Sequence, residues 1–434
     1  MDSPQAVSKP RQSALLRIFL VGGLSLLILA AASWCPAQDD DAGDDLAEML
    51  AKLDAAIKRN PKRADPYTQR GIFWRDVGES GRAVTDFSQA IRLDPNSASA
   101  YVLRGSIWNS RGKYDKALSD FDAAVRIDPK NARAYTYRGS IWHALGDLDK
   151  ALADSSAAIR LAPKSAEGYV VRGMVWSTRQ DFEKAVRDYD LAIRLDPDNS
   201  SAYNNRGVIH QHQGAIDHAL ADYTSAIKAD PEAAASYYLR GMIWVSKHER
   251  DLALRDFNSA IQFDPGNVDA FVQRGIVWQK KGKLIQAIKD WTEAIRLDPK
   301  NAEAYTQRAL GHGTRGDFEK ALRDCAEAVQ LDPKSWPAYH LQAWIWSTNP
   351  TSTYRDGPRA VKAATTACEL TRWKDAMPIE ALAAAYAETA NFTDAVKWQK
   401  KAIELMVRDK ASITDAELRL KLYKSNQPFR DDPN

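Results

Sequence analysis

Along residues 100–131 (AYVLRGSIWNSRGKYDKALSDFDAAVRIDPKN), apolar and small side chains fall at helical spacing in two separate runs. Tyr101, Gly105, Trp108 and Tyr114 belong to the first; Ala117, Phe121, Ala124 and Val125 form the second. The residues around Gly112 part the two runs, so the stretch predicts two antiparallel helices. Asp128-Pro129 should end the second helix, because proline lacks an N–H and pushes its predecessor out of the α region. The same skeleton returns every 34 residues. Its leading aromatic stands at Tyr67, Tyr101, Tyr135, Tyr169, Tyr203, Tyr237, Phe271, Tyr305 and Tyr339. A fixed period of this length predicts stacked helix pairs, each too small to bury its own apolar face, with a core shared between neighbours.

Three recurrences add to this skeleton. Glycine recurs inside the first helix at Gly71, Gly105, Gly139, Gly173, Gly207, Gly241 and Gly275. Mid-helix glycine costs about 0.5–1 kcal/mol relative to alanine, so its return implies a steric need: a missing Cβ that lets the second helix approach, with residues such as Ala117 facing it. Tryptophan takes a mid-helix position expected to be core at Trp74, Trp108, Trp142, Trp176, Trp244, Trp278 and Trp346. Arginine precedes the glycine position from Arg70 to Arg308, and an aspartate follows sixteen residues after each, from Asp86 to Asp324. The ninth repeat loses both partners (Gln342, Ala363), and so does the tenth (Leu382, Trp398). Joint loss predicts pairing within a repeat.

The chain then divides as follows. Residues 1–37 stand outside the repeats: Lys9, Arg11 and Arg17 precede an apolar run from Ile18 to Ala32, the layout of a cleaved signal peptide or an uncleaved signal anchor. Ala30–Ala32 or Cys35-Pro36-Ala37 would suit a signal peptidase, and Trp34 speaks against lipidation of Cys35. Either route exports the repeats across the inner membrane, to the periplasm or to a membrane-anchored position outside the cytoplasm. Residues 38–45 read as an acidic flexible linker and 46–64 as a half-repeat cap. Eight regular repeats occupy 65–336, and two divergent ones 337–410, the ninth with a five-residue insertion before its second helix. Residues 411–434 read as a capping helix and a frayed polar tail.

Composition changes this picture little. The formal net charge of +3 is near neutral for 434 residues, and acidic and basic positions are interspersed, which gives no sign of nucleic-acid binding. No catalytic constellation, metal site or cofactor-binding motif stands out. Cys325 and Cys368 occupy helix-core positions and read as buried free thiols. His210 and His212, two apart on one helix, point to different faces, unlike a metal pair at i, i+4. His210 and His312 take the tryptophan position and read as packed core histidines.

The 34-residue period with the Tyr–Gly–Trp…Ala–Phe–Ala–Pro skeleton resembles the tetratricopeptide repeat over about four-fifths of the chain. The stretch RDGPRAVKAATTACELTRWKD with its continuation ALAAAYAETANFTDAVKWQKKAIEL is similar to the C-terminal end of a bacterial subgroup of the family. The resemblance implies an all-α fold, a right-handed superhelical solenoid of antiparallel helix pairs. It also implies a non-enzymatic scaffold that binds a protein or peptide in a concave groove lined by the first helices. Mapped onto this chain, the groove candidates are Tyr137, Ser140 and His143 in the third repeat, and Val170, Val171 and Met174 in the fourth. The fifth contributes Asn204, Asn205, Val208 and Gln211; the sixth Tyr238, Leu239, Met242 and Val245; the seventh Gln273, Ile276 and Gln279. Chaperone-binding members clamp a carboxylate with Lys and Arg at such sites. Only Asn204 and Asn205 match that clamp, so this partner class is disfavoured. Two other readings stay open: contacts between repeats as the role of the apolar candidates, and stacking of the solenoids as structural or self-assembling envelope components. Membrane attachment would run through the amino-terminal apolar segment.

Overall fold

The computed structural model describes residues 40–431. The targeting segment 1–37, with its apolar run, lies outside the described residues. Among the described residues there are 22 α-helices, one short 3-10 helix and no strand. Two compact units divide the chain, one ending at Ser236 and one beginning at Tyr237. In each, the first helix of a repeat packs on the second, and the second on the first helix of the next repeat, as in the pairs Ala132–Ala144 with Leu148–Leu161 and Leu148–Leu161 with Ala166–Thr178. The fold is an all-α solenoid of helix pairs. No described helix is long and apolar enough to cross a membrane.

Local chemistry explains the helix boundaries. Asp128 takes an extended conformation after the helix Tyr114–Ile127, and its carboxylate accepts the N–H of Lys130 at 3.0 Å. Asp94, Asp196, Asp298 and Asp332 repeat the arrangement before their prolines. Asn131, Asn199, Asn267 and Asn301 then cap the following first helices by accepting an N–H three residues on. Between the helices of a pair the turn needs a left-handed residue, and glycine supplies it at Gly112, Gly146, Gly214 and others. The first described helix begins at Asp40, inside the stretch expected as a flexible linker. A helix already nucleated by its packed segment extends outward at little further cost.

The recurring glycine meets a different neighbour from the one expected. A Cβ on Gly71, Gly105, Gly173, Gly207, Gly241 or Gly275 would lie 2.5–2.9 Å from the ring of Phe87, Phe121, Tyr189, Tyr223, Phe257 or Trp291. The glycine therefore accommodates a large aromatic sixteen residues on, not the small Ala117-type residue. Where the aromatic is missing the constraint relaxes. In the third repeat Ser155 takes its place, and a Cβ on Gly139 would be 3.2 Å from the Asp154 Cβ. In the eighth, Ala309 replaces glycine and Cys325 replaces the ring.

The tryptophans are likewise not the core of the first helices. Trp74, Trp108, Trp142, Trp176, Trp244, Trp278 and Trp346 are all half-buried. The fully enclosed position is the preceding residue, at Ile107, Ile141, Val175, Ile209, Ile243, Val277 and Ile345. Each of five tryptophan rings instead carries a cation from its own second helix or the turn before it: Arg82, Lys116, Lys150, Lys184 and Lys283 lie 4.2–5.0 Å from the centroids. An indole can be enclosed when its N–H is paired, as Trp291 is by the Val272 carbonyl; in the first helices the enclosed position goes to a branched aliphatic and the indole keeps a face for the cation. His210 is half-buried too, whereas His312 is buried.

The carboxy-terminal end departs from the expected frayed tail. After the helix Thr414–Lys424, residues 428–431 lie back against the ninth and tenth repeats, with the Asp431 N–H donating to the Thr348 carbonyl at 2.8 Å. The turn that carries the ninth repeat's insertion, 349–356, contains a 3-10 helix at Ser352–Tyr354.

The glycine rule has a direct test. Gly173→Ala should cost about 1–3 kcal/mol, because Tyr189 is fully buried and cannot retreat. Gly139→Ala should be near neutral, its small clash offset by about 0.5–1 kcal/mol of helix propensity. Urea denaturation midpoints of the two variants should separate accordingly, and equal shifts would refute the ring-accommodation account.

Candidate recognition surface

The first helices are positioned by the arginine that precedes each glycine. In all eight regular repeats its Nε and Nη2 donate to the two oxygens of the aspartate sixteen residues later, at 2.6–3.0 Å. Pairing is within the repeat, as the joint loss in the ninth and tenth predicts. The aspartates are buried, so the fork is desolvated, and partnership with carboxylate raises the arginine pKa further above its usual value in Arg70, Arg138 and Arg206. Each guanidinium also lies 5.4–5.9 Å from the centroid of the leading aromatic ring.

A third arm was not read from the sequence. Nη1 of Arg70, Arg104, Arg138, Arg206, Arg274 and Arg308 donates backward to Asp54, Ser88, Asp122, Asp190, Asn258 and Thr292 on the preceding second helix. The signal was present as a polar residue sixteen positions before each arginine. Its chemistry varies among Asp, Ser, Asn and Thr, which hides it from a search for charge pairs. One side chain thus joins three helices and sets the register between repeats.

On this frame the groove candidates separate into two groups. His143, Met174, Asn204 and Tyr238 are buried and serve packing between neighbours, which removes them from the accessible surface. His143 Nε2 pairs with Thr178 Oγ1 of the next repeat at 2.8 Å, and burial lowers its pKa. Met174 sits in an apolar cluster with Val170, Tyr189 and Ile209. Asn204 donates through Nδ2 to Ser236 Oγ at 2.8 Å. Tyr238 packs near Phe257, and burial raises its hydroxyl pKa. The physical reason is the close approach of successive first helices, which also buries Val102, Thr136, Val272 and Thr306 at the register of Asn204 and Tyr238.

The second group is half-buried. In the amino-terminal unit it comprises Tyr137, Asn205, Val208 and Gln211. Tyr137 stacks on Phe121, with centroids 5.5 Å apart. Asn205 Nδ2 donates to the Ser201 carbonyl at 2.9 Å, and Gln211 Oε1 accepts from the buried Tyr223 hydroxyl at 2.9 Å. Gln211 is therefore also a packing residue, a role its sequence position did not reveal. In the carboxy-terminal unit Met242, Gln273 and Gln279 are half-buried.

The remaining polar candidates play structural parts. His210 Nε2 lies 3.7 Å from Asp222, while His212 packs against Phe182, so the two point apart. Cys325 and Cys368 are free and buried, and burial pushes the Cys368 thiol up to about 12.

Family models described as tetratricopeptide repeat match residues 174–244 and, in a second form, 75–132, 110–166 and 274–335. Together these take in just over half of the sequence. The chain belongs to the tetratricopeptide repeat family. No curated protein matches the sequence. Among solved structures, the human IFIT1 dimer with PPP-AAAA is 12% identical over 84% of this chain and 86% of that chain, with a TM-score of 0.50. Yeast Tom70 is 18% identical over 91% of this chain and 95% of that chain, with a TM-score of 0.38. A tetratricopeptide repeat protein from Parabacteroides merdae is 19% identical over 57% of this chain and 98% of that chain, with a TM-score of 0.44. Membership points to a protein-interaction scaffold.

The two arms of Arg138 should differ in worth. Asp154, with 9% of its side chain exposed, is the inner partner; Asp122, with 60%, is the outer one. Asp154→Ala should cost about 3–5 kcal/mol by leaving a largely desolvated guanidinium unpaired. Asp122→Ala should cost at most about 1 kcal/mol. Urea denaturation of both variants would check this, and similar losses would show that the outer arm also carries stability.

Proposed function

We propose that the chain is a non-enzymatic scaffold that holds an extended peptide of a partner protein along the first-helix faces of repeats three to five. The supporting observation is the half-buried set Tyr137, Asn205, Val208 and Gln211, which mixes apolar contact with amides. Gln211 is held through its Oε1, while its Nε2 makes no bond to the described residues, and a fixed amide can pair a peptide backbone at little entropic cost. The recurring positions are consumed by packing, so discrimination rests with residues that differ between repeats. Few ions stand among these residues, and binding should depend only weakly on salt.

A peptide selected from a random display library against the chain serves as probe. Val208→Asp should weaken its binding at least tenfold, and Asn205→Ala by about 1–3 kcal/mol, with unchanged melting temperature. Gln211→Ala is unsuited, because it orphans the Tyr223 hydroxyl. Retained affinity in a folded Val208→Asp variant would move the site to another face.

Export is proposed on the cations Lys9, Arg11 and Arg17 followed by the apolar run Ile18–Ala32. Residues 1–45 fused to a reporter active only outside the cytoplasm should give activity. A stable but silent fusion would place the repeats inside.

A further inference from the structure

The ninth repeat breaks the rule by which first helices end. Elsewhere the turn after the helix returns its own N–H groups to the last carbonyls, as Gly112 does to Asn109 and Lys113 to Trp108. Here the chain leaves Thr348 into the insertion, and Asp356 returns only to Trp346. The carbonyls of Ser347 and Thr348 are helix-end acceptors that need donors from elsewhere. Arg430 Nη1 supplies one at 3.1 Å and the Asp431 N–H the other at 2.8 Å.

The three residues 429–431 are each read by different groups. Phe429 packs against the apolar cluster of Ala383, Ala387, Ala395 and Tyr423, with its ring 6.1 Å from Trp344. The Arg419 guanidinium lies 5.4 Å from Phe429 and 5.6 Å from Trp344, joining the two rings. Arg430 Nη2 pairs with Glu388 Oε2 at 2.6 Å, at the negative end of the helix Ala376–Glu388. The Asp431 carboxylate accepts from Trp344 Nε1 at 2.6 Å.

The location is informative. Trp344 shares the 34-residue register of Met174, Val208 and Met242, and Ser347 that of His143, Gln211 and Gln279. The segment therefore lies on the register positions that vary between repeats, and it is bound by backbone pairing plus separate aromatic, cationic and anionic contacts. Such a division between main-chain pairing and side-chain seats is how extended peptides are recognised.

We propose that residues 429–431 are an intramolecular ligand, and that their seat is a second recognition site, built by the ninth-repeat insertion. The site takes a partner peptide with the order aromatic, arginine, aspartate, and the chain's own tail blocks it until displaced. A tethered segment acts at an effective concentration in the millimolar range, so a free peptide meets strong competition in the intact chain. The site lies in repeats nine and ten and does not rest on the reading given for repeats three to five.

The test uses a fluorescent synthetic peptide of residues 425–434, SNQPFRDDPN. Chain ending at Gln427 should bind it saturably, at least one hundredfold tighter than the full chain does. Peptides with Phe429→Ala or Asp431→Ala should bind at least tenfold more weakly. If the shortened chain loses helicity, full chain carrying Arg430→Ala and Asp431→Ala replaces it, with the same expectation. Saturable binding that depends on Phe429 and Asp431 supports the proposal. Absence of binding to a folded, tail-released chain overturns it, as does equal binding to released and intact chains.

Discussion

The constraint on which the solenoid depends is the arginine fork at the waist of each of the eight regular repeats. A carboxylate buried between two helices is tolerable only if both oxygens are paired, and a guanidinium does this with two parallel N–H bonds. Lysine could not replace it, because a point charge cannot hold both oxygens, the preceding helix and an aromatic face together. Arg138 does all of this with Asp154, Asp122 and Tyr135. The pairing therefore does more than stabilise one hairpin: in six repeats a third arm ties the first helix to the second helix of the preceding repeat.

Around that waist the remaining positions divide by size. Glycine and the aromatic sixteen residues on form one complementary pair, and their correlated change to Ala309 and Cys325 keeps the pair matched. Ile107 and its equivalents take the enclosed position of the first helix. Tryptophan is left at the edge, where a lysine or arginine covers it. The apolar clusters are consequently local, those around Tyr189 and Phe121 each drawing on two adjacent repeats, which is the condition under which a solenoid gains stability step by step.

Recognition draws on what this packing leaves over. Close approach of the first helices buries the register of Asn204 and Tyr238 and turns polar side chains there into bridges, such as Asn204 to Ser236 and Thr306 to Ser335. One helical turn further on, Val208, Met242 and Ile276 stay half-buried, while Met174 in the same register is enclosed. The ninth repeat shows that the same register at Trp344 can receive an extended segment.

By itself the sequence determined the repeat period, the helix pairs, the Asp-Pro stops and the pairing of arginine with aspartate sixteen residues later. All are set by local chemistry or by recurrence within a single repeat. Tertiary structure decided which of two adjacent large residues is enclosed, Ile107 or Trp108, because both lie near the same helical stripe and only the shape of the neighbouring repeat separates them. It also decided that His143, Met174, Asn204 and Tyr238 pack inward, and that Phe429 to Asp431 dock instead of fraying. Those outcomes depend on the distance between helices that are 30 to 90 residues apart in sequence, as Trp344 is from Asp431. Spacing along the chain carries no record of that distance.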